Sequence, residues 1–122
     1  MYIDFKVYES SHVEQTSEKI DILQGENNIA TMRFALPETL RGYPIANYKQ
    51  EIKFESEKGE VLRFDMANGQ FAFTSQITRF KSVLVQLVLT NSTDEAKPIE
   101  WRSIPFKYDF IKSINAVNAI GD

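Results

Sequence analysis

Apolar and polar residues alternate with a period of two along most of the chain, the pattern of strands with one buried face rather than of helices. Ile3, Phe5 and Val7 fall on one side of the first segment, with Asp4 and Lys6 opposite. Ile20 and Ile22 repeat the pattern before a polar turn at Gln24-Gly25-Glu26-Asn27-Asn28. Met32, Phe34 and Leu36 line a segment that Pro37 ends, because proline has no N–H to give to a ladder. Ile52 and Phe54 mark the next. Glu57-Lys58-Gly59 and Asn68-Gly69 are the clearest turns. Asn-Gly suits the positive φ angles of a type I′ turn, so it predicts a hairpin joining Leu62/Phe64/Met66 to Phe71/Phe73.

The segment Lys81–Asn91, KSVLVQLVLTN, is apolar on both sides: Val83, Val85, Leu87 and Leu89 on one, Leu84 and Val88 on the other. Such a strand is expected at the centre of a sheet, covered on both faces. A polar stretch from Asn91 to Pro98 turns the chain back into Ile99 and Trp101, then Ile104, Phe106, Tyr108 and Phe110. The alternation slips between Trp101 and Ile104, which predicts a bulge or break at Ser103 to Pro105. Leu40 to Tyr48 reads as the one long irregular connection, a surface loop carrying Tyr43 and Tyr48. About eight or nine short strands with turns at roughly ten-residue intervals predict an all-β fold, an antiparallel immunoglobulin-like β-sandwich. The expected division is a sandwich over residues 1–111 and a C-terminal tail, or the start of a stem, over 112–122. From the end of the sandwich into that tail Ile111, Ile114, Val117 and Ile120 recur at every third residue. This spacing fits either a frayed end or a helix that packs against copies of itself and governs self-association.

At 122 residues the chain suits one domain that hides roughly two-thirds of its unfolded surface. There is no cysteine, which excludes disulfides, thiol nucleophiles and thiolate-bound zinc. The net charge of −3 is spread along the chain, without the basic stripe that nucleic acid requires. The longest apolar stretch falls far short of a membrane span, and the first residues lack the pattern of a secretory signal.

Candidate chemistry is sparse. His12, the single histidine, sits in the polar run ESSHVEQTSE without an orienting partner and reads as a solvated loop residue. Glu51, Glu55 and Glu57 alternate with Ile52 and Phe54 and read as a polar strand face rather than a cation site or an acid/base pair. The five glycines stand apart, so no phosphate-cradling loop is present. Trp101, in phase with Ile99, is expected in the core or a subunit interface rather than on a sugar-stacking platform, a role left only to the loop tyrosines Tyr43 and Tyr48. No catalytic, metal or cofactor residues are assigned. The interface candidates are Tyr43, Tyr48, Ile114, Val117 and Ile120.

The order of VLVQLVLTN, a polar gap and WRSIPFKYDFIKSINA resembles the N-terminal domain of baseplate upper proteins and related tail proteins of phages that infect Gram-positive bacteria. The matching positions are Val85 to Asn91, Trp101, Ser103, Pro105, Phe106 and Ser113 to Ala116, with ILQGENNIATMRFAL resembling the family's early strand pair. The resemblance covers the β domain and its junction, not the long helical or fibrous region that follows in that family. It implies a non-enzymatic virion protein, made in the host cytoplasm, that docks to the tail baseplate or another virion part. It would multimerise as a homo-oligomer, with a trimer expected, and would use no nucleic acid, membrane insertion or cofactor. The alternative left open by the residues is a carbohydrate-binding sandwich on a phage or cell surface.

Overall fold

The computed structural model describes residues 1–113. Two β-sheets pack face to face. One has the strand order β2-β1-β3-β8, from β1 (Tyr2–Val7), β2 (Val13–Gln15), β3 (Thr31–Ala35) and β8 (Gln70–Ala72). The other runs β10-β9-β6-β7, from β6 (Lys49–Ser56), β7 (Val61–Asp65), β9 (Ser82–Asn91) and β10 (Ile99–Arg102). Strand β11 (Phe106–Asp109) joins this second sheet along the same side of β9 as β10. A small hairpin, β4 (Thr39–Leu40) and β5 (Tyr43–Pro44), leads into a 3₁₀ turn at Ile45–Asn47. The one α-helix among the described residues, α1 (Ser75–Thr78), is a single turn. The sandwich expected from the alternation is present, with one difference from an all-antiparallel arrangement: β1 and β3 pair parallel, Tyr2 to Lys6 against Thr31 to Ala35.

The inward sides are those the alternation names. Ile3, Phe5, Val7, Met32 and Phe34 face Ile52, Phe54 and the Val83/Val85/Leu87/Leu89 row, all buried. Aromatic rings bridge the sheets: Phe5 to Phe106 at 5.3 Å and Phe54 to Phe71 at 5.2 Å between centroids. Each buried side chain of this size contributes roughly 1.5–3 kcal/mol, so the core rests on two facing rows rather than on any single contact. Strand β9 is central in its sheet, with β6 on one side and β10 and β11 on the other. Its outer face is only half covered, because Val88 is buried while Leu84 is 42% exposed.

Ser103 to Pro105 form the predicted bulge. Arg102 lies opposite Val88 and Phe106 opposite Val85, so three residues face two and the register shifts by one. The Ser103 N–H donates to the Leu87 carbonyl, its hydroxyl accepts the Leu87 N–H, and its own carbonyl accepts from the Gln86 side chain. Trp101 is core, as expected, and its indole N–H donates to the Glu9 carbonyl at 3.1 Å.

Asn68 and Gly69 have φ of 53° and 69°, the type I′ combination. The strands on either side do not form the predicted hairpin, however. β7 pairs with β6 and β8 with β3, so the turn hands the chain from one sheet to the other with a single bridge, Ala67 to Gln70. Alternation reads the faces of a strand but not its partner, which is why that expectation failed. The segment around Ile20 and Ile22 is likewise no strand. Ile22 is buried and Leu23 makes an isolated bridge to Ile111.

Candidate functional site

Two surface hollows stand out, one on each sheet. On the four-stranded sheet, the parallel register sets Asp4 beside Arg33, and the guanidinium grips the carboxylate with two bonds of 2.6 and 3.0 Å. Those hydrogen bonds hold the Asp4 carboxyl below its ordinary range and raise Arg33, with desolvation partly opposing both shifts. The guanidinium carbon also lies 3.9 Å from the Tyr2 ring centroid. Farther along β1, Lys6 covers the Tyr8 ring, which stacks on His12, and the Tyr8 hydroxyl donates to Glu14. Beyond the pair Lys6–Ala35 the two parallel strands separate, and an open groove of about 860 Å³ lies along them. Ala35, Leu36 and Pro37 give it accessible apolar surface, and Asp4, Glu9 and Gln70 line it beside them. Such a lining can hold a polar ligand over an apolar floor. It brings together no nucleophile with an oriented base.

On the five-stranded sheet, Glu51 lies opposite both Val88 and Asp65, and Arg63 folds over it with bonds of 2.8 and 3.0 Å. Those bonds lower the Glu51 carboxyl and raise Arg63. Glu51 is thus nearly buried on what alternation reads as the solvated face, sheltered by a partner that the sequence does not identify. Glu55 is exposed, and Glu57 accepts the Ser82 N–H at 3.0 Å. Beside them Val61, 59% exposed, and Leu84 border a smaller hollow with Pro105 and Gln86.

The sequence-derived interface candidates scatter. Tyr48 is a correction: it is 5% exposed, with its hydroxyl donating to the Leu40 carbonyl at 2.6 Å, so it holds the β4–β5 hairpin down instead of offering a contact. Leu40 is fully buried too, and Leu40 to Tyr48 is a hairpin and a 3₁₀ turn rather than an irregular loop. Tyr43 is half-buried. Ile114, Val117 and Ile120 lie outside the described residues. His12 is exposed, its ring against Tyr8. Among the described residues no group of three His, Asp or Glu stands close enough to hold a metal ion, and no helix is long and apolar enough to cross a membrane. The groove around Asp4, Tyr8 and Arg33 escaped sequence reasoning because it depends on a parallel pairing between segments far apart in the chain.

No protein-family model matches the chain, and no curated protein matches it. Among solved structures it is similar to the N-terminal domain of phage TP901-1 ORF48, at a TM-score of 0.46 and 10% identity, over 92% of this chain and 96% of that one.

Proposed function

We propose that the chain is a non-enzymatic structural protein of a phage virion: a β-sandwich adaptor that docks to the tail baseplate, or another virion part, and multimerises. The supporting observation is that the residues carrying the family resemblance work as one unit. Val85 to Asn91 lie in β9, Trp101 and Ser103 run beside it, and Pro105 and Phe106 lead out of the bulge. A Trp-x-Ser-x-Pro-Phe sequence therefore has a job here: an indole in the core, a serine stapled to the central strand, and a proline where no ladder donor is needed. Of the junction Ser113 to Ala116, only Ser113 is described.

The mechanism is burial of surface against other virion proteins. A specific interface hides ~1,200–2,000 Å² in total, with a few aromatic or arginine anchors carrying most of the energy. Mass spectrometry and antibody labelling of purified particles from a phage encoding the chain test the assignment. The chain is expected at the tail end in a fixed ratio to the other tail proteins. Its absence from washed particles overturns the reading.

The groove favours a second reading, a carbohydrate-binding module, because acids, an amide and a tyrosine meet there over an apolar floor. Against it, the Tyr2 and Tyr8 rings already carry Arg33, Lys6 and His12 as partners. A glycan array separates the two: reproducible binding that Gln70→Ala and Tyr8→Ala abolish supports the second reading.

A further inference from the structure

The free edge of the five-stranded sheet is β7, and its backbone can be read donor by donor. Gln50 accepts from Met66 and Glu60 accepts from Ser56, so the even-numbered residues of β7 are those bonded to β6. In an antiparallel ladder the intervening residues turn their N–H and C=O the other way. Val61, Arg63 and Asp65 therefore present six backbone groups outward, and no turn or loop among the described residues bonds to them. Of the devices that protect an edge, β7 has no proline, no bulge and no lysine, and carries only two charges of opposite sign, Arg63 and Asp65. Its inward side chains, Leu62 and Phe64, are only half-buried.

We infer that β7 pairs antiparallel with β7 of a second copy about a two-fold axis at Phe64, with Arg63 of each copy opposite Asp65 of the other, extending the sheet through both molecules. The inference rests on the multimerising part of the proposed function and supplies a surface for it. Charge selects the register. Outward-facing residues must pair with outward-facing residues, so the axis can lie at Leu62, Arg63 or Phe64. An axis at Arg63 sets two guanidinium groups against each other, and one at Leu62 pairs Arg63 with Val61. An axis at Phe64 alone gives two opposite-charge pairs on the outer face. It also joins the two Phe64 rings and sets Leu62 against the buried Met66 on the inner face, covering Leu62 and Phe64, which one copy leaves half-exposed. The Asp65 side chain is 77% exposed, and its one ion-pair partner among the described residues is Lys49 at 3.9 Å, while Arg63 keeps its two bonds to Glu51 on the same outer face. A closed, self-complementary contact of this kind stops at two copies, in place of the trimer that the family resemblance implies, and leaves the β10–β11 side available for other partners.

Sedimentation of the full chain over a range of concentrations is the test. The native chain is expected to form a dimer. Asp65→Arg, which sets like charges opposite each other twice, is expected to weaken it by about tenfold or more. Asp65→Pro removes an outward N–H without touching the bonds to β6 and is expected to weaken it similarly. Asp65→Arg mixed with Arg63→Asp is expected to recover a heterodimer that neither forms alone, because the mixture restores both pairs. Circular dichroism checks folding; if Arg63→Asp unfolds for want of a partner for Glu51, the two Asp65 variants decide. Oligomers unchanged in both Asp65 variants overturn the edge contact while leaving multimerisation through another surface. A native chain that stays monomeric overturns the edge contact and the multimerising part together, while particle labelling still tests the virion assignment.

Discussion

The two sides of the five-stranded sheet are finished differently. On the β10–β11 side, Ser103 bonds three times to β9, the Trp101 indole reaches Glu9, the Ile104 N–H donates to Ser11, and Ile111 exchanges bonds with Ile22 and Gln24. On the β7 side the backbone groups of Val61, Arg63 and Asp65 meet no other segment among the described residues. One side is woven into the rest of the fold, so its residues should control stability. The other is held by a single neighbour, so its residues should control association. A side chain's exposure alone does not make this distinction: Ile104 and Val61 are 57% and 59% exposed, yet they stand on opposite sides of it.

The largest expected effect breaks the woven side. Trp101→Ala removes a buried ring and its bond to Glu9, and is expected to cost about 3–5 kcal/mol, read as a lowered denaturant midpoint. A folded mutant of unchanged midpoint would mean that this side is not what holds the sandwich together. Gly69→Val comes next. Its φ of 69° disfavours any β-branched residue, and an added Cβ would run into the Phe34 carbonyl, so a loss of more than about 2 kcal/mol is expected by urea titration. Ser103→Ala leaves the buried Leu87 N–H without its acceptor, for an expected loss of about 1–3 kcal/mol.

A pH titration sharpens the comparison. Burial, with the charge of Asp21 adding to it, pushes the Tyr108 hydroxyl up to about 12 from its ordinary 10. The folded chain keeps this proton where the unfolded chain begins to lose it. The contribution is therefore complete below pH 10 and is lost as pH climbs toward 12. Tyr108→Phe is expected to flatten that part of a stability-against-pH curve, and an unchanged slope would place the loss elsewhere. The smallest effect belongs to the open side: Val61→Thr is expected to change stability by no more than about 0.5 kcal/mol. A larger change in the denaturation midpoint would mean that β7 is more deeply tied into the fold than its bonds indicate.

Much of the core was legible. The faces of β1, β3, β6 and β9 follow from alternation alone, and the slipped phase after Trp101 locates the bulge. Partnership was not legible. The same alternation would suit β7 paired with β8, and a two-residue Asn-Gly turn normally joins neighbours in one sheet. β8 lies in the other sheet, and Phe71 and Phe73 reach across the sandwich to Phe54. Three-residue β2 carries too little pattern to be recognised. Tyr48 looked like a surface residue because a polar tip suggests water, whereas its hydroxyl is satisfied by the Leu40 carbonyl inside the fold. The groove and the Glu51–Arg63 pair are products of register, which one strand's residues do not encode alone.

The bulge has a further consequence for chain length. Inward side chains run Trp101, Ser103, then Phe106, Tyr108 and Phe110, while Ile104 and Pro105 both point away from the core. Deleting Ile104 would restore an uninterrupted alternation and return Phe106 to the register that Arg102 keeps with β9. The surplus residue is thus dispensable for pairing. Its contribution is a spare N–H turned sideways, a hook on which the Ser11 turn hangs. Shortening the chain there should leave the sheet intact and the Tyr8–His12 turn tied to this side by the Trp101–Glu9 bond alone.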